Sequence, residues 1–272
     1  MKLNFTEFSY GYAFTENLIR WSSTRPTAAP VFPNLVQEAQ LGYDIKINFP
    51  GLPLFFQFKL PERMTRHTAR EIAVLGIPGL SVPFFRMPLM RRDLSDQHAH
   101  LIRLESRFPG TVFYTSPGVD KVESFNQAYR RAEVHVRSVF FPPQDIGPLP
   151  DSAAHSVAYS QDLSVAWFCS EPKRAKPLRF EDVTLIANRA LARRSRSSLD
   201  DTVGEIREGV WSLLPPAIRS AEGELRQRIE ARRPPADGVP SDDRVRRIST
   251  ELLVLRELTR VGLGVDLLIA QP

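Results

Sequence analysis

The chain has 272 residues, 42% of them hydrophobic and 10% aromatic, which suits a soluble globular protein, excludes a disordered chain and allows one large or two modest domains. Its one cysteine, Cys169, excludes an internal disulfide or a cysteine-rich zinc site and fits a reducing cytoplasm. A formal net charge of +5 is compatible with a polyanionic partner, no apolar run reaches the roughly 18 residues of a membrane span, and Met1 to Glu7 lacks a signal-peptide apolar region.

Tyr12, Leu18, Ile19 and Trp21 recur at helical spacing and predict a first helix over residues 8–21, which carries Glu16. A Pro- and Ser-containing loop follows to Pro30. Pro33 suits the first turn of a short helix over 34–41, which carries Glu38 and stops at Gly42.

The next stretch organises the chain. Tyr43, Ile45, Ile47 and Phe49 alternate with Asp44, Lys46 and Asn48, which is strand periodicity, and Pro50 to Pro53 reads as a turn. The return run from Leu54 is apolar until Gln57 and Lys59, which stand two apart and therefore point to one face. Such a hairpin sets Asp44 beside Gln57 and Lys59. A carboxylate, an amide oxygen and an ammonium on one sheet face can hold a hard cation and orient a water, the requirements of metal-assisted phosphodiester hydrolysis. The plain alternative is a solvated face, with Lys59 marking a sheet edge. Against it, Leu54, Phe55, Phe56 and Phe58 are apolar on both faces, as in a strand covered on both sides.

Asp44 and the Gln57-Phe58-Lys59 triplet, separated by a hairpin, resemble the PD-(D/E)XK nuclease superfamily in its variants with Gln-x-Lys for Glu-x-Lys, as in type IV restriction enzymes of the Mrr kind. The resemblance implies a restriction-endonuclease-like α/β core, with a central mixed β-sheet flanked by helices. It also implies Mg²⁺ or Mn²⁺ as cofactor, DNA as substrate, and a role in defence against foreign DNA or in repair. Asp44, Gln57 and a Glu on the preceding helix would bind the metal, and Lys59 would orient the water and stabilise charge on the phosphorane. Glu38 is the nearer candidate for that Glu, and Glu16 better fits the longer helix-to-Asp distance. Because Gln57 replaces an acid, a catalytically degenerate subunit that binds nucleic acid or a partner protein is the alternative. A homodimer is compatible with either.

Beyond the hairpin, Pro61 to Arg70 is polar and basic and reads as a connector near a nucleic-acid backbone. A strand over 84–89 follows, then a helix capped by Asp93 or Ser95 and closed by Pro109-Gly110. Gln97 and His98 begin that helix where the superfamily often turns a polar residue to its site; His98 is a candidate for proton transfer or phosphate binding, or a capping histidine. A strand over 111–115, a helix over 123–133, a strand over 134–141 and one or two strands over 157–169 complete an α/β region. His155 and Asp151 fall in a Pro-rich turn, and the sequence supports no Ser-His-Asp arrangement around them. Composition changes at Lys173, giving two expected regions, 1–172 and 173–272. The second is helical, with 19 basic and 15 acidic residues, and its last helix carries an apolar stripe of Val245, Ile248, Leu252, Leu253, Leu255 and Leu258.

Overall fold

The computed structural model describes residues 3–21, 50–194, 197–231 and 243–271. They form an α/β fold with a mixed sheet flanked by helices. The described residues divide into two compact units: one takes in those up to Trp21 and Phe56–Leu185, the other those from 50 to Phe55 and from Ile186 onward. The division thus falls after the first turn of a helix, not at the composition change at Lys173. Among the described residues, no helix is long and apolar enough to cross a membrane.

The first unit opens with α1 (Glu7–Trp21), followed in the chain by β1 (Leu52–Phe58), whose seven residues are all buried. Leu52 and Pro53, expected in a turn, already belong to the strand, which Pro tolerates near a strand start. The partner strand expected over 43–49 lies outside the described residues. The neighbours of β1 in its sheet are two strands from later in the chain, described below.

β2 (Glu62–Met64), α2 (Arg70–Ala73), β3 (Phe84–Pro88), α3 (Gln97–Arg107), β4 (Val112–Pro117), α4 (Val122–Arg130), β5 (Ser138–Phe141) and α5 (Pro143–Ile146) follow. β6 (Ser156–Ser160), β7 (Ala166–Phe168) and β8 (Lys173–Ala175) complete the strands of this unit, and α6 (Phe180–Arg193) leads out of it. The strands do not join one central sheet. One sheet runs β5-β4-β1-β9, where β9 is Asp266–Ala270 at the far end of the chain, and a second runs β2-β3-β6-β7-β8 with every pair antiparallel.

Phe56 and Phe58 turn one face of β1 to α1. Phe14 lies 5.2 Å from the Phe56 ring and 5.3 Å from the Phe58 ring, and Tyr10 meets Phe58 edge-on at 5.5 Å. Each such aromatic contact adds about 1 kcal/mol beyond the area it buries. The helix comes so close that a Cβ on Gly11 would stand 2.8 Å from the Phe58 ring, so glycine is needed there. Asn17 ties the other end of α1 down: its Oδ1 accepts from Val134 N at 3.1 Å and its Nδ2 donates to Tyr129 O at 3.3 Å. Alternation along the strand sends Gln57 and Lys59 to the face opposite α1.

In the second unit Leu52–Phe55 lies with β9 and the helices α7 (Leu199–Trp211), α8 (Pro216–Ser220), α9 (Glu222–Ala231) and α10 (Asp243–Leu263). Ser198 and Asp201 form a reciprocal capping box that satisfies two orphan N–H groups at the start of α7. Ile248, Val254, Leu255 and Leu258 are the buried face of α10, so its apolar stripe packs inside its own unit. The arginines there are largely consumed by carboxylates: Arg226 meets Glu251 at 2.6 Å and Glu222 at 3.0 Å, Arg207 pairs with the same two, and Arg244 meets Asp200 at 2.6 Å.

Candidate functional site

The end of β1 is a buried polar cluster. Gln57 and Lys59 are each 7% exposed. Ladder geometry continues past the strand end, since Lys59 N donates to Thr115 O of β4 at 2.9 Å. Ser116 Oγ donates to Lys59 O at 3.0 Å, and the Tyr159 hydroxyl of the second sheet lies 2.9 Å from that Ser116 oxygen. The backbone carrying Lys59 is therefore pinned from two sheets, and its side chain starts from a fixed point.

The ammonium itself is lightly held. It donates to Gln97 Oε1 at 3.3 Å, from the first residue of α3. Burial pulls the Lys59 pKa below its ordinary value, and the charge of Glu7 pushes back. Gln57 donates through Nε2 to Phe58 O at 3.1 Å, while its Oε1 is buried with no hydrogen-bond partner, as is Thr115 Oγ1. Thr115 pairs with Phe140 on the α1 face, so its orphan hydroxyl lies on the other side of the sheet from Gln57. Buried polar atoms are nearly always paired, and the Gln57 oxygen is an exception on its face. On that face the described residues offer one free amide oxygen, Gln57 Oε1, and a hard divalent cation would need one or two carboxylates beside it.

The structure brings Gln57, Lys59 and Gln97 together. Asp44 and Glu38 lie outside the described residues. Glu16 is not part of this cluster: its carboxylate pairs with Arg20 and accepts from Asn17 Nδ2 at 3.1 Å. It also lies nine residues along α1 from Glu7, roughly 13 Å at the helical rise. The α1 carboxylate whose charge acts on Lys59 is Glu7, whose Oε1 accepts from Leu60 N at 3.4 Å. Sequence reading passed over Glu7 because it precedes the apolar period that marks the helix.

His98 is a strut. Its Nε2 lies 2.8 Å from Gly147 O, which only accepts, so Nε2 carries the proton and Nδ1 accepts from the Tyr114 hydroxyl at 2.8 Å. Burial lowers its pKa, and both nitrogens are committed, which leaves no site for proton transfer. Two surface pockets, one lined by Gly118, Arg137 and Asp162 and one by Arg174 and Lys176, do not include Gln57 or Lys59. Among the described residues, no group of three or more His, Cys, Asp or Glu is placed to hold a metal. No protein-family model, curated protein or solved structure matches this chain.

Proposed function

We propose that this chain is a Mg²⁺- or Mn²⁺-dependent nuclease that hydrolyses phosphodiester bonds of DNA, in defence against foreign DNA or in repair. The observation that carries the reading is the pairing of a buried, lightly held ammonium, Lys59, with the orphan amide oxygen of Gln57 on the same strand face. In this reading Asp44 and Gln57 Oε1 hold the metal, with Glu38 the candidate carboxylate. The metal when bound supplies charge neutralisation at the phosphate. Lys59 stabilises negative charge on the reacting phosphate, and Gln97 keeps its ammonium aimed at the cluster. A buried cation costs stability, and stabilising charge that develops only during reaction is a task that repays that cost.

The test is plasmid cleavage by the full chain with Mg²⁺ or Mn²⁺ against an EDTA control. Lys59→Ala is expected to abolish metal-dependent cleavage while leaving the circular-dichroism spectrum unchanged; cleavage at the unaltered rate overturns the assignment. A second reading, a degenerate nuclease-fold subunit that binds nucleic acid or a partner protein, is favoured by Gln57 being an amide where an acid would bind metal more tightly. DNA binding without cutting under every metal selects it.

A further inference from the structure

The turn before β6 and the hairpin between β7 and β8 build a second cluster, which shares no residue with the first. β7 and β8 pair with Phe168 opposite Lys173, so residues 169–172 form the tip of a hairpin. Ser170 sits on that tip, half-buried, and its Oγ lies 2.5 Å from His155 Nδ1. Register explains the meeting of residues fifteen positions apart: Val157 of β6 lies opposite Phe168 of β7, and Cys169 N donates to Ser156 O at 3.0 Å.

The other imidazole nitrogen fixes the chemistry. His155 Nε2 lies 3.1 Å from Asp151 Oδ1 and 3.2 Å from Asp151 O. Both oxygens only accept at neutral pH, so Nε2 carries the proton. Nδ1 therefore presents its lone pair, and the Ser170 hydroxyl must donate to it. The imidazole is 3% exposed and packs on the Phe168 ring at 5.8 Å. Asp151 is held in place from the other side, its Oδ1 accepting from Ala153 N at 2.6 Å. A hydroxyl nucleophile, a base aimed at its proton and a carboxylate orienting the base are the parts of nucleophilic acyl transfer, recognised by geometry and role and not by chain order.

We propose that Ser170, His155 and Asp151 form an acyl-transfer site that takes small, unhindered carboxylic esters. Ser170 Oγ bonds to the ester carbonyl carbon as its proton passes to His155 Nδ1. The carbon–oxygen bond to the leaving alcohol then breaks, and the alcohol takes that proton. Water, giving a proton to the same nitrogen, attacks the acyl-serine carbonyl carbon; the bond from that carbon to Ser170 Oγ then breaks, Oγ takes the proton back, and the acid leaves, so that ester plus water becomes acid plus alcohol. Asp151 is a positioning residue that keeps the Nδ1 lone pair on the hydroxyl.

The test uses the full chain with an alkyl fluorophosphonate, read by intact mass and peptide mapping, and p-nitrophenyl acetate hydrolysis as the activity assay. A single adduct at Ser170 is expected, absent in Ser170→Ala and formed about a hundredfold more slowly in His155→Gln. Asp151→Asn should slow it less, because the Asp151 carbonyl still holds Nε2–H. Lys59→Ala should label like the unaltered chain, since the two sites share no residue. No Ser170 adduct in the folded protein, or His155→Gln labelling at the unaltered rate, overturns the proposal. If His155→Gln does not fold, the unaltered chain decides: labelling of Ser170 far faster than of its other serines is expected, and labelling no faster than theirs overturns the proposal.

Discussion

Arg86 and Lys59 are both cations withdrawn from water in the first unit, and the fold treats them in opposite ways. Arg86 on β3 meets Glu71 of α2 in a two-pronged fork, Nε to Oε1 and Nη2 to Oε2, each at 2.6 Å. Burial alone would raise the Glu71 carboxyl; the Arg86 fork more than offsets it, so the pKa falls below the ordinary value. Lys59 has one long hydrogen bond to a neutral amide and the orphan oxygen of Gln57 on its own face. A cation whose valences are filled within the protein belongs to the architecture. One that is buried with valences left open is held ready for something the protein does not itself contain.

The sharpest way to break that comparison is to strip Arg86 of its partner. Glu71 is 3% exposed, and Glu71→Ala leaves the guanidinium with the Glu62 carboxylate at 3.8 Å. The expected loss is about 3 kcal/mol, the lower end of what breaking a buried pair costs, because Arg86 is itself only partly buried and can reach Glu62. Urea denaturation reads it as a lower midpoint at unchanged slope. A loss under about 1 kcal/mol would show the fork to be ornamental and the contrast with Lys59 to be empty.

A third buried titratable group has no polar partner at all. His135 is fully buried, packs against Phe180 at 4.4 Å and Trp21 at 5.9 Å, and neither nitrogen has a hydrogen-bond partner. Burial lowers its pKa from 6.5 to about 4, with Glu181 opposing. The unfolded chain then binds a proton that the folded one refuses, so stability falls as pH drops from 6.5 to about 4, by up to roughly 3 kcal/mol. Glu105 works the other way, since burial raises its carboxyl to about 6 and favours the folded state as pH falls through that value. The difference between the unaltered chain and His135→Leu isolates the histidine. It should change by about 2–3 kcal/mol between neutral pH and pH 4, and a constant difference would mean that His135 takes up its proton in the folded state.

Much of this architecture is legible in the sequence, and the misses have physical reasons. The all-apolar run ending at Phe58 announces a strand covered on both faces, and the helix and strand signals from Gln97 to Phe141 lead to α3, β4, α4 and β5. β2 and β8 have three residues each, too few for period-two alternation to show, so Glu62–Met64 reads as a basic connector and the grouping of the strands over 84–89 and 157–169 into a second sheet stays hidden. β9 follows a long helix after one glycine turn, and its unbroken apolar run Leu267-Leu268-Ile269-Ala270 shows no alternation, so it reads as more of the helical region. Of the Lys59 cluster, spacing alone finds Gln57 and Lys59, while Thr115 and Ser116 are ordinary strand residues until β4 is laid beside β1. Ser170 is invisible beside His155 until the register of three strands is known.

The smallest expected effect is the one that most sharpens the contrast between the two cations. Lys59→Met keeps the length and apolar stem of the side chain and removes only the ammonium. Because the Lys59 pKa is depressed in the folded state, the unfolded chain holds the proton more readily and folding is penalised at neutral pH; that penalty fades as pH rises toward the ordinary lysine value of 10.5. Removing the charge should therefore raise stability at pH 7 by about 1 kcal/mol, roughly 2–4 °C in Tm, and the gain should shrink at alkaline pH. Arg86→Met, which leaves the Glu71 carboxylate buried and unpaired, should do the reverse. If Lys59→Met is instead destabilising at pH 7, then Gln97 and Glu7 already satisfy the ammonium, and Lys59 is a structural cation like Arg86.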